Sequence, residues 1–236
     1  MKKILVSIFK FLDSLIQKKN IKTIESELGK KINIYIDVGA HKGEMIDLLL
    51  KHFKINRIYA FEPNPESFDL LKNKKIKKLK LFNFALGEKN KYEFLKIGHI
   101  SAMSTINKIN DSSIYTFFKK IIIFIFFGRF NIYKKRIKVR KKAIKNINKI
   151  FKINKIDLIK IDTEGHEFNV IKGIGEKLIK NIKLILFELH YDNSLIKNYN
   201  FKKINKYLNK RGFKCVNQNK MLFRKGFEII YKNIKV

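Results

Sequence analysis

Short runs of apolar residues recur along the chain and predict the strands of one sheet. The clearest run, at 31–38, contains the β-branched residues Ile32, Ile34, Ile36 and Val38, which is typical of a buried strand. Segments with apolar residues at helical spacing alternate with these runs, and the alternation predicts a mostly parallel α/β sheet with crossover helices. Further strands are predicted at 57–61, 80–85, 157–162, 183–189, 213–217 and 227–232, and helices from 44 onward and at 65–74, 167–179 and 194–210.

Acidic residues stand at the ends of the first two predicted strands. Asp37 lies near the end of the first strand, Gly39 and Gly43 bracket the turn that follows, and Glu62 ends the second strand, 25 residues after Asp37. This spacing suits a carboxylate that accepts hydrogen bonds from both hydroxyls of a ribose. An acid before the glycine turn would repel a pyrophosphate, so a sulfonium cofactor with an amino-acid tail fits better, with its ammonium group on Asp37.

Five sequence blocks resemble the FkbM-type S-adenosylmethionine-dependent methyltransferases. They are IDVGAHKGE at 36–44, FEPNP at 61–65, NFALGEKN at 83–90, LIKIDTEGHEFNVIKG at 158–173 and LFELH at 186–190. The resemblance implies a class I, Rossmann-like methyltransferase fold with helices on both faces of the sheet and a C-terminal antiparallel strand. It also implies the cofactor S-adenosyl-L-methionine and, most often, O-methylation of a sugar or a secondary metabolite.

The same blocks indicate which residues contact the cofactor and the substrate. Phe84 and Ala85 are predicted to border the adenine ring, but they end an apolar strand, so packing in the core explains them equally well. Ser101 and Ser104 resemble the family's serine-rich loop and are predicted to contact the substrate. The cofactor-binding residues that the resemblance implies are Asp37, Gly39, Ala40, Gly43, Glu62, Asn64, Phe84 and Ala85.

The fourth block brings acids and a histidine to a predicted strand end and helix start. Methyl transfer to an alcohol needs a group that removes the hydroxyl proton as the new bond forms. We expect Asp162 to position the acceptor or the sulfonium, and His166 to be the base with His190 as its rival, because histidine titrates near neutral pH. Glu164 and Glu188 are predicted to contact the substrate, although helix capping also explains Glu164. These side chains could hold a divalent metal, but their spacing does not enforce it, and no metal is predicted.

Charge and cysteine content limit the partners. The formal net charge of +33 over 236 residues would ordinarily indicate nucleic acid or an anionic membrane. Only six of the 53 basic residues are arginine, the residue that binds bases and phosphates bidentately, so a nucleic-acid partner is not expected. The single cysteine, Cys215, excludes an intrachain disulfide and fits a cytoplasmic location. A small molecule, saccharide or lipid-linked glycan is the expected acceptor, while an RNA methyltransferase and a non-catalytic member of the fold stay open.

Length and composition predict one domain over 1–236, with two unusual segments. Residues 1–30 have apolar positions at helical spacing and predict an amphipathic helix that packs on the domain, with docking at the inner face of a membrane as the alternative. The apolar centre of 113–140 lies between lysine-rich flanks and is too short to span a bilayer. A buried strand or helix, a lid over the acceptor site and a membrane-dipping loop all fit this second segment.

Overall fold

The computed structural model describes residues 2–146, 153–221 and 225–236, with side chains from residue 14 onward. The helices are α1 (Lys2–Leu28), α2 (Glu44–His52), α3 (Pro65–Lys72), α4 (Ile114–Phe127), α5 (Glu167–Ile174), α6 (Glu176–Ile179) and α7 (Phe201–Asn209), with a 3₁₀ turn at Ser101–Met103. The strands are β1 (Lys31–Val38), β2 (Lys54–Phe61), β3 (Leu79–Phe82), β4 (Ala85–Leu86), β5 (Lys91–Gly98), β6 (Tyr133–Lys142), β7 (Ile156–Ile161), β8 (Ile182–His190), β9 (Phe213–Lys220) and β10 (Gly226–Asn233).

Seven strands form the central sheet in the order β3-β2-β1-β7-β8-β10-β9. Strands β3, β2, β1, β7 and β8 are parallel, and β10 runs antiparallel between β8 and β9. The mostly parallel sheet and its C-terminal antiparallel strand are therefore confirmed. The strand order reverses between β1 and β7, and open α/β sheets bind ligands in the crevice beyond the carboxyl ends of the strands at such a point.

Apolar side chains from helices cover both faces of the central sheet. On one face, Ile24 of α1 and Ile46 and Leu49 of α2 are fully buried in a cluster with residues of β1 and β2. On the other face, Val170 and Ile171 of α5 are fully buried in a cluster with residues of β1, β7 and β8. Strands that are covered on both sides need continuous apolar runs, and such runs predicted these strands.

A second sheet, in the order β4-β6-β5, lies between β3 and β7 in the chain. The strand predicted at 80–85 is therefore wrong at its end: β3 stops at Phe82, and Ala85–Leu86 pairs in parallel with β6. Strands β5 and β6 pair antiparallel over most of their length and were not predicted. Strand β6 is rich in lysine and arginine, and β5 has apolar residues on both faces, Tyr92 and Phe94 on one and Leu95 and Ile97 on the other, so neither shows a clear alternation of polar and apolar residues.

Two predicted helices are also shorter than expected. The helix predicted at 167–179 is interrupted at Gly175, where a φ of 84° and a ψ of 155° end α5 before α6 begins. The helix predicted at 194–210 begins only at Phe201, because the chain before it pairs with the loop that leads to α4. In that pairing, the amide of Asn110 donates to the carbonyl oxygen of Ser194 at 2.9 Å.

The segment 113–140 forms α4 and most of β6, and of the three alternatives for its apolar centre, burial within the protein does not hold. Thr116 and Ile123 are the buried residues of α4, whereas most of its large apolar side chains are exposed. Among the described residues, no helix is both long and apolar enough to cross a bilayer.

Candidate active site

A cavity of about 380 Å³ opens at the carboxyl ends of β1, β2, β7 and β8. Residues from each of these strands, or from the turns that follow them, line its wall. The predicted site residues that line the cavity are Gly39, Ala40, Glu62, Ala85, Ser101, Ser104, Asp162, Glu164, His166 and Glu188. Asp37, Gly43, Asn64, Phe84 and His190 lie outside the lining.

Glu62 is a buried carboxylate at the end of β2 that is held by two backbone amides. The amide of His41 donates to its Oε2 at 2.8 Å, and the amide of Asn64 donates to its Oε1 at 2.8 Å. Burial raises the pKa of Glu62 to about 7 despite these two bonds. Each carboxylate oxygen can accept a further hydrogen bond, so the side chain can receive two ligand hydroxyls.

Gly39 allows the ends of β1 and β7 to meet at the cavity. Its φ is 77°, and a Cβ at this position would lie 1.8 Å from the carbonyl oxygen of Asp162. The amide of Asp162 donates to the carbonyl oxygen of Val38 at 2.9 Å, which holds the two chain segments together. Only glycine fits this close approach, which gives Gly39 a structural reason that the loop pattern alone did not supply.

Asp37 does not line the cavity in which its predicted contact with a cofactor ammonium group would be made. Asp37 is fully buried outside the cavity lining, and its Oδ1 lies 3.8 Å from Nζ of Lys160. Lys160 also donates to Oδ2 of Asp162 at 3.0 Å. Burial alone would lower the pKa of Lys160, but the Asp162 and Asp37 carboxylates raise it above its usual value. The cation that Asp37 faces is therefore one of the protein's own side chains.

His166 begins α5 and lines the cavity with a neutral imidazole. Burial, with the nearby charge of Lys141, lowers the pKa of His166 to about 4. Its Nδ1 lies 3.3 Å from Oδ1 of Asn107, whose amide nitrogen donates to the carbonyl oxygen of Gly165. Nδ2 of Asn169 lies 3.1 Å from the same ring nitrogen, so an amide oxygen and an amide NH₂ group both contact Nδ1. Nε2 is buried and has no hydrogen-bond partner among the residues that the structure describes.

His190, the rival base, has the opposite electrostatic environment. Its Nε2 lies 2.9 Å from Oε1 of Glu188 and 3.5 Å from Oε2 of Glu164. Burial alone would lower the pKa of His190, but the two carboxylates raise it to about 10. The ring is thus a cation at neutral pH and has no lone pair with which to take a proton. The prediction of His190 as a general base is not supported, and the ring instead neutralises the acids beside it.

Glu167 explains how the turn after β7 keeps its shape. Its Oε1 accepts hydrogen bonds from the amides of Thr163 and Gly165 at 3.2 and 2.9 Å, and its Oε2 accepts one from the hydroxyl of Tyr199 at 2.6 Å. The turn includes Glu164 at a φ of 50°, which is uncommon for a residue other than glycine. The buried carboxylate therefore presents Asp162, Glu164 and His166 to the cavity without itself lining it.

Three other predicted cofactor residues make contacts within the protein that account for them structurally. Asn64 caps α3 by accepting a hydrogen bond from the amide of Glu66 at 3.2 Å. Gly43 has a φ of 82°, which favours glycine, and a Cβ there would lie 2.5 Å from Cδ1 of Leu71 of α3. The ring of Phe84 packs against two other phenylalanines, as the alternative of core packing proposed.

The serine-rich loop covers one side of the cavity and contacts the glycine turn. His41, in that turn, places its Nε2 2.7 Å from Oγ of Ser101 and its Nδ1 2.9 Å from Oε1 of Glu44. The hydroxyl of Ser104 donates to the carbonyl oxygen of Ser101 at 2.7 Å and so stabilises the loop. Ser101 and Ser104 both line the cavity, as a substrate-side position requires.

The sequence comparisons identify the family. A family model described as the methyltransferase FkbM domain matches residues 37–215. The chain belongs to the FkbM methyltransferase family. The predicted membership of the FkbM-type S-adenosylmethionine-dependent methyltransferases is thereby confirmed. No protein of curated function has a sequence that matches this chain significantly.

Two solved structures agree with the fold of this FkbM-family chain. Methyltransferase FkbM from Methylobacillus flagellatus KT is similar with a TM-score of 0.54 and 13% identity, over 86% of this chain and 44% of that one. The present chain thus spans less than half the length of that protein. Magnesium protoporphyrin IX methyltransferase from Synechocystis PCC 6803, crystallised with S-adenosylmethionine, is similar with a TM-score of 0.50 and 10% identity, over 98% and 80% of the two chains. The predicted class I fold is confirmed.

Part of the cavity wall of this FkbM-family chain comes from outside the matched region, from α1 and β10. Ile16 and Gln17 of α1 and Glu228 of β10 all line the cavity. The side-chain amide of Gln17 donates to Oε1 of Glu228 at 2.8 Å, and the amide of Asn20 donates to its Oε2. Burial, with the nearby Glu188 carboxylate, raises the pKa of Glu228 to about 7. Helix α1 is therefore part of the site, which the sequence analysis missed.

The cavity is acidic although the protein as a whole is strongly basic. Lys160 is its only lysine among the described lining residues, which include no arginine. The acids that line the cavity are Glu44, Glu62, Asp162, Glu164, Glu188 and Glu228. Among the residues described, no group of three or more His, Cys, Asp and Glu side chains is arranged to hold a metal ion.

The missed residues Lys160 and Glu228 share a signal that the sequence does contain. Each is a charged residue inside an otherwise apolar strand, DLIKI and GFEIIY. A buried charge is costly unless a partner or a ligand compensates it, so both positions mark a functional or ion-paired site. Asn107 carries no comparable signal, because its role depends on the contact with His166, 59 residues later in the chain.

Proposed function

We propose that this chain transfers the methyl group of S-adenosylmethionine to a hydroxyl group of a saccharide, with a lipid-linked glycan as the expected form of the acceptor. The observation that carries the proposal is the pairing, in one cavity, of the Glu62 carboxylate with the neutral imidazole of His166, whose Nε2 has no hydrogen-bond partner among the described residues. The first suits the donor's ribose, and the second suits a hydroxyl proton.

The residues around Glu62 fit the adenosine portion of the donor. Glu62 would accept hydrogen bonds from the ribose hydroxyls, while the apolar side chains of Ala85 and Leu86 would border the adenine. The backbone of the turn at Gly39 and Ala40 comes close to the cavity because neither residue has a large side chain. When bound, S-adenosylmethionine supplies an electrophilic methyl group on a positively charged sulfur.

The residues at the other side of the cavity fit the acceptor. Asp162, held by Lys160, would accept a hydrogen bond from the acceptor and orient its oxygen. His166 would accept the hydroxyl proton at Nε2, while Asn107 stabilises the resulting imidazolium through Nδ1. The low pKa of His166 keeps the ring neutral at physiological pH, which is the state that this step requires.

The acidic lining favours a neutral saccharide over a nucleic acid. A positively charged sulfonium and ammonium are attracted to carboxylates, whereas the phosphates of RNA are repelled by them. The positive exterior would still attract RNA nonspecifically, so net charge alone is no argument for RNA as the substrate.

The test uses S-adenosylmethionine labelled in its methyl group, incubated with the protein and separated glycan, lipid and RNA fractions of cells. We expect label in a glycan or glycolipid fraction that is stable to ribonuclease. Label confined to RNA would refute the proposed acceptor, and label in no fraction would refute methyl transfer to these acceptors.

The role of His166 is tested with His166→Ala. General-base catalysis contributes about 100-fold or more to rates, so kcat should fall by that order while the Kd for S-adenosylmethionine stays unchanged. His52→Ala is the matched control, because His52 is exposed on α2 and should retain full activity. Normal turnover in the His166 variant would show that another group removes the proton.

A further inference from the structure

Helix α4 has its polar and apolar faces reversed relative to a helix on the surface of a globular protein. Its buried positions are Thr116 and Ile123, and the rest of its inward face includes Lys119 and Lys120. Its outward face is apolar throughout. The exposed apolar residues of the helix are Ile114, Phe117, Phe118, Ile122, Phe124, Ile125 and Phe127, with exposures between 45% and 66%. This set is called the α4 apolar face below.

Polar contacts fix the orientation of α4 on the protein. The hydroxyl of Thr116 donates to the carbonyl oxygen of Asn110 at 2.7 Å. Nζ of Lys119 donates to Oγ of Ser194 at 2.8 Å and lies 3.0 Å from Oδ2 of Asp192. Rotating the helix to bury its apolar face would break these contacts, so the α4 apolar face is held toward the outside.

Both ends of α4 are well defined. At its start, Oγ of Ser113 accepts a hydrogen bond from the amide of Tyr115 at 3.2 Å. At its end, Gly128 adopts a φ of 67°, and its amide donates to the carbonyl oxygen of Phe124 at 2.8 Å. A capped helix of 14 residues is about 21 Å long, shorter than the roughly 30 Å hydrocarbon core of a bilayer. Such a helix can lie in a membrane surface but cannot span it.

The charge around α4 identifies what would cover this face. Between Asp111 and Asp157 the chain contains fourteen lysine and arginine residues and no acid. Exposed Arg129 lies two residues after the helix, and exposed Lys134 and Lys135, which both pair with Glu66, lie near the start of β6. A second copy of this chain would bring the same basic region and a net charge of +33 against it, which opposes self-association. A lipid layer with an apolar interior and negatively charged headgroups complements both the apolar face and the basic region beside it.

We propose that the α4 apolar face docks this protein on a membrane surface that contains anionic lipids. Isoleucine and phenylalanine side chains would enter the boundary between headgroups and acyl chains, and the neighbouring lysines and arginines would contact lipid phosphates. Phosphates of RNA could meet the same cations, but RNA offers no apolar layer in which aliphatic side chains are buried. The observations therefore favour lipid.

Docking through α4 would also place the cavity near the membrane. Lys119 contacts Asp192 and Ser194, which follow directly after β8 at the same edge of the sheet as the cavity. Nζ of Lys225, near the start of β10, donates to the hydroxyl of Tyr115 at 2.7 Å. An acceptor sugar attached to a lipid would thus be presented to the site; this consequence rests on the proposed function, whereas membrane docking does not.

The experiment is co-sedimentation of the full chain with vesicles of phosphatidylcholine alone or mixed with phosphatidylglycerol, without cofactor or acceptor. We expect binding to the mixed vesicles and a loss of at least about tenfold in partition coefficient for the double variant Phe118→Glu and Ile122→Glu. These side chains are 53% and 47% exposed, so the substitutions leave the core intact. Thermal unfolding of each variant checks this.

The matched control is the double variant Ile234→Glu and Val236→Glu. Its side chains are 66% and 45% exposed beyond the end of β10, whereas the chain before the start of β10 contacts α4, and it changes the net charge by the same amount. The control should bind mixed vesicles within about threefold of the wild type. If both variants lost the same amount of vesicle binding, the binding would depend only on net charge, and the proposal would be overturned. It would also be overturned if the wild type were a dimer that only the α4 variant dissociates, or if the protein bound RNA but not vesicles. Methyl transfer is measured separately, so its failure would leave a positive vesicle result intact.

Discussion

Glutamine in place of Glu62 should weaken the binding of S-adenosylmethionine strongly while the fold is kept. The carboxylate accepts one amide hydrogen bond on each oxygen, from His41 and Asn64, both at 2.8 Å. Glutamine has one oxygen and one NH₂ group, so one amide would face another donor. The charged acceptor of the ribose hydroxyls is lost as well.

The magnitude follows from these two losses. A hydrogen bond to a charged group contributes roughly 1.5–3 kcal/mol, and an unsatisfied buried donor costs roughly 1–3 kcal/mol. Part of the second cost is present before binding and lowers stability instead of affinity. We therefore expect a loss of about 2–3 kcal/mol in binding free energy, which corresponds to a Kd raised about 30- to 150-fold.

Isothermal titration of the purified variant with S-adenosylmethionine measures this change directly. Glu66→Gln is the control, because it is the same substitution on an exposed carboxylate of α3 that contacts only surface lysines. The control should bind with the wild-type Kd. If folded Glu62→Gln binds within threefold of the wild type, Glu62 does not hold the ribose, and the placement of the donor in this cavity is wrong.

Two further predictions concern stability. In urea denaturation, Gly39→Ala should lower the free energy of unfolding by more than Gly29→Ala does. Both glycines have positive φ, which costs an alanine roughly 1–2 kcal/mol at either position. Only a Cβ at Gly39 meets a backbone oxygen, at 1.8 Å, and this clash adds a further loss of roughly 1–3 kcal/mol. Equal losses of stability in the two variants would mean that the ends of β1 and β7 can move apart without a cost in free energy. For His190, whose pKa rises from 6.5 to about 10 on folding, the contribution to stability is fully present below pH 6.5 and is lost as pH rises to 10. The stability difference between the wild type and His190→Gln should therefore shrink across that range, and a constant difference would contradict the ion pair.

The elements that the sequence predicted well are those whose burial shows in a local pattern. Strand β1 was predicted at its observed bounds because both faces of the sheet are covered and its residues are mainly apolar and β-branched. Strand β6 was missed because its sequence is mainly lysine and arginine, and β5 was missed because it has apolar residues on its exposed face as well as on its buried one. The start of α7 was missed because pairing between residues 108–110 and 194–196 depends on contacts far apart in the chain.

The site shows the same division between local and distant information. Glu62 and Asp162 were predicted because an acid at a strand end reaches the ligand edge of a parallel sheet wherever the strand lies. The choice between His166 and His190 could not be made from sequence. Burial, with the charge of Lys141, lowers the pKa of His166 to about 4, whereas the carboxylates of Glu188 and Glu164 raise the pKa of His190 to about 10 despite its burial.

The charges of this protein are arranged in opposite ways inside and outside the cavity, and the two proposals together restrict the acceptor further than either does alone. An acceptor that carries a phosphate is attracted to the basic exterior near α4 but repelled within the cavity, where the described lining residues include six acidic side chains and one lysine. An uncharged sugar has no such conflict inside. A glycan on an anionic lipid satisfies both conditions, because its sugar can reach His166 while its phosphate stays at the lysine-rich surface. A purely soluble neutral sugar would leave the α4 apolar face unexplained, and a free polyanion would leave the acidic lining unexplained.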